Sequence, residues 1–178
     1  MSQPPVPTKV WVARDFANCS GCRLCEIVCS LKHEGKIWPE SSMVRVFMLI
    51  PGVEIPHLCT QCSDYPCVKS CPFKALSINE KTGAVQVDKE KCTACGICTN
   101  ACPGKIPHLH PNRKYILICD LCDGDPECAK ICTKMKFNTL TVIPRTPDRT
   151  YDLYAKTPED LTENLSYKLY TDKAKELI

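Results

Sequence analysis

Sixteen cysteines stand in four groups of four along 178 residues, with none left over. The groups are Cys19, Cys22, Cys25, Cys29; Cys59, Cys62, Cys67, Cys71; Cys92, Cys95, Cys98, Cys102; and Cys119, Cys122, Cys128, Cys132. The first and third follow C-x2-C-x2-C-x3-C, and the third ends in Pro103. That is the bacterial spacing for ligands of a 4Fe–4S cluster. The second reads C-x2-C-x4-C-x3-C-P and the fourth C-x2-C-x5-C-x3-C, the same plan with a longer middle loop. A short loop with three thiolates wraps one corner of a cubane, and the fourth cysteine follows one helical turn later. In two-cluster ferredoxins that last cysteine ligates the other cluster. The groups are therefore expected to work in pairs, and the expected chemistry is one-electron transfer.

Two other uses of so many cysteines fit less well. Eight disulfides would need an oxidising compartment, yet MSQPPVPTKVWVARDF has no apolar stretch, small-residue cleavage site or twin-arginine pair. The expected location is the cytoplasm, with the thiols reduced. Zinc sites usually join two separated C-x2-C pairs, or one pair and histidines. Here three cysteines crowd together, and His33, His57, His108 and His110 lie outside ligand spacing.

The formal charge of +3 counts thiols as neutral. An oxidised 4Fe–4S core held by four thiolates adds roughly −2, so four sites bring the protein to roughly −5. The basic balance is then no argument for nucleic acid binding. No run of eighteen apolar residues is present, so no membrane span is expected. Apolar content is 44%, with cysteine a large share of it, so the clusters are expected to staple a thin core.

The elements that must hold the cysteines are short. Residues 1–8 read as a loose arm, 9–13 as a strand and 25–33 as a helix. Residues 43–50 read as a strand broken by Pro51 and Gly52. Residues 75–88 read as a hairpin turning through Gly83, between the second and third groups. Strands are also expected at 115–118 and 140–143. Residues 144–158, with Pro144, Pro147 and Pro158, read as an extended connector. A helix then starts with Thr157 as N-cap and Pro158 at its first position. Leu161, Leu165 and Leu169 form its apolar stripe, to pack on its own domain or to dock on a partner. The expected fold is α+β: two ferredoxin-like double-cluster modules within residues 1–143 and a C-terminal extension, 144–178, carrying that helix.

The stretches CSGCRLCEIVCSLKHEG, CTQCSDYPCVKSCP, CTACGICTNACP and CDLCDGDPECAKIC, with the intervening hairpin, resemble the iron–sulfur electron-transfer subunits of molybdenum and tungsten pyranopterin oxidoreductases. The resemblance covers about residues 9–143. SLKHEG after Cys29 and CDLCDGDPEC look most like small subunits of tungsten enzymes of the aldehyde oxidoreductase type, a group that includes tungsten-dependent benzoyl-CoA reductase. The resemblance implies four 4Fe–4S clusters. Cys19, Cys22 and Cys25 would bind one with Cys132; Cys119, Cys122 and Cys128 its neighbour with Cys29. Cys59, Cys62 and Cys67 would bind another with Cys102; Cys92, Cys95 and Cys98 the last with Cys71. Cys132 departs from the pattern, since Thr133 follows it where proline is common.

The resemblance further implies a large catalytic subunit holding the tungsten or molybdenum pyranopterin, with further donor subunits or ferredoxin as partners. No catalytic site of its own, Rossmann or P-loop pattern is found. A free-standing polyferredoxin and an oxygen-sensing regulatory protein are the other classes; no nucleic-acid-binding motif supports the last. His33 and His108 are candidates for tuning a cluster or moving protons, or for structural roles. Asp64, Asp120 and Asp123 are candidates for lowering potentials, or simply for capping turns.

Overall fold

The computed structural model describes residues 9–146 and 151–176, the side chain of Asp152 excepted. The expected arm at 1–8 lies outside the described residues. In chain order the elements are β1 (Val10–Arg14), α1 (Leu24–Glu34), β2 (Arg45–Ile50), β3 (Val53–His57), α2 (Pro66–Lys69), β4 (Leu76–Ile78), β5 (Val85–Val87), α3 (Ile97–Ala101), β6 (His108–Leu109), β7 (Ile116–Leu117), α4 (Glu127–Lys134), β8 (Leu140–Pro144) and α5 (Pro158–Tyr170). The fold is α+β.

The strands form four separate antiparallel pairs among the described residues: β1 with β8, β2 with β3, β4 with β5, and β6 with β7. Every strand is thus an edge, which lets Pro56 sit inside β3 opposite Val46 without breaking a sheet. β1 and β8 close the two ends of the cysteine region on each other, from Val10 opposite Pro144 to Arg14 opposite Leu140. The expected hairpin between the second and third groups is present, with Leu76 opposite Val87.

The core is built around sulfur. Cys25, Cys29, Cys59, Cys67, Cys98, Cys102, Cys119 and Cys128 are buried together with Val12, Val44, Leu58, Val85, Ile116, Leu121 and Leu140. α1 packs on α4 and α2 on α3, so each helix pair brings together cysteines of two groups. α1 and α4 are longer, with 11 and 8 residues, than α2 and α3, with 4 and 5. The difference has a local cause. Pro72 and Pro103 follow the last cysteines of the second and third groups and stop the helix there. Ser30 and Thr133 follow those of the first and fourth and let it run on. Thr133 is thus shared behaviour of one helix pair rather than an isolated departure.

α5 begins as expected: the Thr157 hydroxyl accepts from the Asp160 amide at 3.2 Å, with Pro158 in the first turn. Its stripe is shorter than the leucine spacing implied. Leu161 and Leu165 are buried against Ile50, Val53 and Ile55 of the β2–β3 hairpin, but Leu169 is 45% exposed. Each i+4 step over-rotates by about 40°, so the third leucine drifts off the buried face. The connector also differs from its extended reading: residues Tyr151–Tyr154 form a 3-10 turn, while 147–150 lie outside the described residues.

His57, 6% exposed, ties this extension down through Nε2 to the Lys156 carbonyl at 3.0 Å. Burial pushes its pKa down from 6.5 to about 4, and the hydrogen bond to Lys156 only partly opposes that. A group neutral when folded favours the unfolded chain once protons bind there, so stability is complete above pH 6.5 and is lost as pH falls towards 4. The expected loss is up to about 3 kcal/mol. The urea midpoint of the metal-loaded protein should fall between pH 6.5 and 5, and H57Q should flatten that dependence.

Candidate metal centres

The helix pairs sort the cysteines into quartets that cross between groups. One cavity is lined by Cys19, Cys22, Cys25 and Cys132, a second by Cys71, Cys92, Cys95 and Cys98, a third by Cys59, Cys62, Cys67 and Cys102. Their volumes, counting space open to solvent, are close to one another at about 350, 310 and 330 Å³. The remaining four thiols also meet: Cys128 interacts with Cys29 and Cys122, and Cys119 with Cys128 and Cys29. An all-sulfur donor set lined by apolar side chains fits an iron–sulfur cluster.

The quartets are coupled electrostatically in sequence. Cys67 interacts with Cys98 as well as with Cys102 of its own set. Cys119 interacts with Cys59, and Cys128 with Cys25. The two quartets at the ends each contain an exposed cysteine, Cys95 or Cys22, whereas the inner two have only buried or half-buried ones.

The loops share a backbone device. The residue before the second cysteine of each group is left-handed: Gly21 (φ 68°), Gln61 (φ 46°), Ala94 (φ 58°) and Leu121 (φ 59°). For an L-residue this costs roughly 1 kcal/mol. It turns successive amides to one side, making a concave donor site for an anion. The amides of Gly21, Gln61 and Leu121 donate to Cys19, Cys59 and Cys119 respectively. The amide after the third cysteine does likewise: Glu26 to Cys25, Val68 to Cys67, Thr99 to Cys98 and Ala129 to Cys128. Fourth cysteines draw donors from further along the chain: Met43 N–H to Cys29 Sγ at 3.3 Å, Ala75 N–H to Cys71 at 3.4 Å and Leu140 N–H to Cys132 at 3.4 Å. Such hydrogen bonds favour the thiolate and tune what it ligates. At Gly21 a Cβ would also stand 2.9 Å from Glu54 Cγ, so the Glu54 side chain would have to move.

Those amides do not suffice to ionise the thiols. Burial, joined by the charge of Glu26, pushes Cys25 up to about 12. Burial and neighbouring cysteines bring Cys59 and Cys67 to about 12. Burial and Asp120 bring Cys122 to about 11. Ligation of metal must therefore expel protons, and it supplies the positive charge that the thiolates lack.

The polar candidates divide. His33 Nε2 lies 3.7 Å from Cys122 Sγ and 3.5 Å from Asp120 Oδ1, at the edge of a quartet. These three groups are close enough to hold an ion of their own, but Cys122 interacts with Cys29 and so is shared with the cysteine set. Asp120 caps its turn, accepting from the Cys122 amide at 2.8 Å. His108 sits between the carbonyls of Ile106 (3.1 Å) and Ser42 (3.0 Å), a structural placement. Residues that the spacing did not single out include Glu26, which is 4% exposed and accepts from the Val46 amide at 2.6 Å. Arg14 is another, buried at 6% and donating to the carbonyls of Leu58 (3.1 Å) and Cys59 (2.9 Å). Its only sequence signal is a cation closing the apolar strand VWVA.

The signature of the 4Fe-4S dicluster domain matches residues 52–141, half of the chain and three of its four cysteine groups. The chain belongs to the 4Fe-4S dicluster family. The dicluster protein is 47% identical over 165 residues to the aliphatic sulfonate oxidoreductase, polyferredoxin-like subunit, of Pyrococcus furiosus, covering 93% of this chain and 95% of that one. It is 30% identical over 147 residues to the electron transport protein HydN of Escherichia coli K12, covering 68% and 82%. Among solved structures it aligns with a chain of the active site complex BamBC of benzoyl coenzyme A reductase with benzoyl-CoA, at TM-score 0.46 and 24% identity, covering 94% and 96%. The dicluster protein is an iron–sulfur electron-transfer protein. No helix among the described residues is long and apolar enough to cross a membrane.

Because the thiol quartets make up so much of its core, the dicluster protein stripped of iron should lose its fixed tertiary packing. Near-UV circular dichroism of the stripped protein should collapse; a spectrum matching the metal-loaded form would contradict the coupling. Asp123, with no side-chain bond to a cysteine on its turn, should tolerate D123N with cluster potentials unchanged in a redox titration.

Proposed function

We propose that the dicluster protein carries single electrons through four 4Fe–4S clusters to or from the catalytic subunit of a tungsten or molybdenum pyranopterin oxidoreductase of the aldehyde oxidoreductase type. The observation that carries this reading is the serial arrangement of four cysteine quartets, each electrostatically coupled to the next, with an exposed cysteine at each end of the row. Bound at each quartet, a cluster would supply one-electron chemistry. Cys19, Cys22, Cys25 and Cys132 hold one terminal cluster; Cys92, Cys95, Cys98 and Cys71 hold the other. Cys119, Cys122, Cys128 and Cys29, and Cys59, Cys62, Cys67 and Cys102, hold the inner two.

The protein's own residues keep the path dry and continuous. α1 and α4 carry neighbouring ligands on consecutive turns, so Cys25 and Cys29, and Cys128 and Cys132, serve adjacent clusters. Apolar side chains such as Leu140 and Ile118 line the voids and exclude water. Cys22 and Cys95, exposed at opposite ends of the row, are where electrons enter and leave. One end meets the catalytic subunit; the other meets a one-electron donor protein, a ferredoxin or a further subunit. The Pyrococcus furiosus relative, described as a subunit, supports a role within a complex. Residues 1–143 form the electron-carrying unit, and 144–178 an extension whose exposed Tyr167 and Leu169 face the partner. The working location is the cytoplasm.

Purification from native extract should bring down a large subunit bearing tungsten or molybdenum. A protein that purifies alone would favour the free shuttle, and one that brings down DNA a regulator. Metal-loaded protein should contain about sixteen iron atoms. C132A should lose about a quarter of its iron by colorimetric assay while the other three clusters remain. Full iron content in C132A would remove Cys132 from the ligand set.

A further inference from the structure

Arg14 reaches between the two inner quartets. It leaves β1 at the position opposite Leu140 and donates through Nη2 to the carbonyls of Leu58 and Cys59, on the loop of the second cysteine group. Its guanidinium is near the sulfurs of Cys59, from one inner quartet, and of Cys119 and Cys128, from the other. Trp11 and Tyr154 cover it, their ring centres 5.4 and 5.6 Å from Cζ. Trp11 is itself held by Nε1 donating to the Thr60 carbonyl at 3.1 Å, and Tyr151 and Tyr154 of the extension pack against it, tilted and edge-on respectively. No carboxylate among the described residues pairs with Arg14, and its Nε has no acceptor there.

An unpaired cation at 6% exposure is costly. Two hydrogen bonds to carbonyls would be met as well by a neutral donor. What a neutral donor does not offer is charge. Burial lowers the Arg14 pKa to about 10, which still leaves it protonated at neutral pH. Reduction adds one negative charge to a site that already carries a net negative charge from its thiolates. Away from water that added charge is disfavoured, most of all at the two quartets with no exposed cysteine. A fixed cation between them offsets the penalty at both.

We propose that Arg14 is a positioning cation shared by the two inner clusters, raising the reduction potential of both so that the middle of the path is not a barrier to electrons passing between its exposed ends. This rests on the reading of four clusters in series. The Trp11–Tyr154 cover keeps water from screening the charge, which gives the extension a second task besides packing.

The test is an anaerobic redox titration with dithionite and mediators, followed by electron paramagnetic resonance, on metal-loaded wild type, R14Q and R14K, each with its iron counted. In R14Q the reduction equilibrium constants of two clusters should fall about tenfold, equivalent to about 59 mV for one electron. The other two should change less than about threefold, corresponding to about 28 mV. R14K keeps the charge but not the planar fork, and should fall between wild type and R14Q for the same two clusters. Potentials unmoved in R14Q, or moved equally at all four clusters, overturn the proposal. Should R14Q not retain its iron, R14M, which also removes the charge but suits a buried apolar site, is titrated in its place: a fall confined to two clusters supports the proposal, and no fall or a uniform one overturns it. Wild-type protein with fewer than four reducible clusters overturns the underlying reading instead.

Discussion

Bringing four thiols to one buried point is unfavourable until they share a positive charge. Burial, with the negative charge of neighbouring groups, holds several of these cysteines near a pKa of 12, and each neighbour that ionises makes the next ionisation harder. The chain does this four times, with Val, Leu and Ile side chains filling the gaps between the quartets. Core formation and metal binding are therefore expected to be coupled. The amides that face the sulfurs are the chain's own contribution to stabilising thiolate, and they need the left-handed turns at Gly21, Gln61, Ala94 and Leu121. Only one of those four residues is glycine, so the strain is accepted for the donor geometry it produces.

The modest secondary structure follows from that constraint. The β pairs are isolated and short because they carry cysteine loops rather than build a sheet. β1 and β8 matter most, since their pairing closes the first and fourth groups onto each other. The helices are long only where the last cysteine is not followed by proline. This separates the α1–α4 pair, which the chain joins from far apart, from the α2–α3 pair, which the β4–β5 hairpin joins locally. The extension then covers the β2–β3 hairpin with Leu161 and Leu165, and Arg14 with Tyr154.

The legible part of the chain was the part with a short-range rule. The cysteine groups, the hairpin at 75–88 and the Thr157 cap each depend on residues a few positions apart. β3 has no such rule, because Pro56 argues against a strand unless every strand is an edge. β6 is only His108–Leu109 and has no pattern long enough to read. Leu169 has the right spacing but the wrong angle. Arg14 is hidden in the sequence because a single cation after four apolar residues looks like a solvated strand end, and its importance depends on loops 45 residues away.

The sequence by itself determined the chemistry, because ligand type and spacing within each group are local and sulfur donors select few metals. It also determined where helices stop, through Pro72 and Pro103. Only the tertiary structure brings cysteines of different groups to one cavity, sets the quartets in a row, and leaves two of them without an exposed cysteine. Those depend on helix packing and on the β1–β8 closure, which join residues more than a hundred positions apart. The placement of one charge between two quartets belongs to the same class, since an electrostatic field is set by distance in space and carries no signature along the chain.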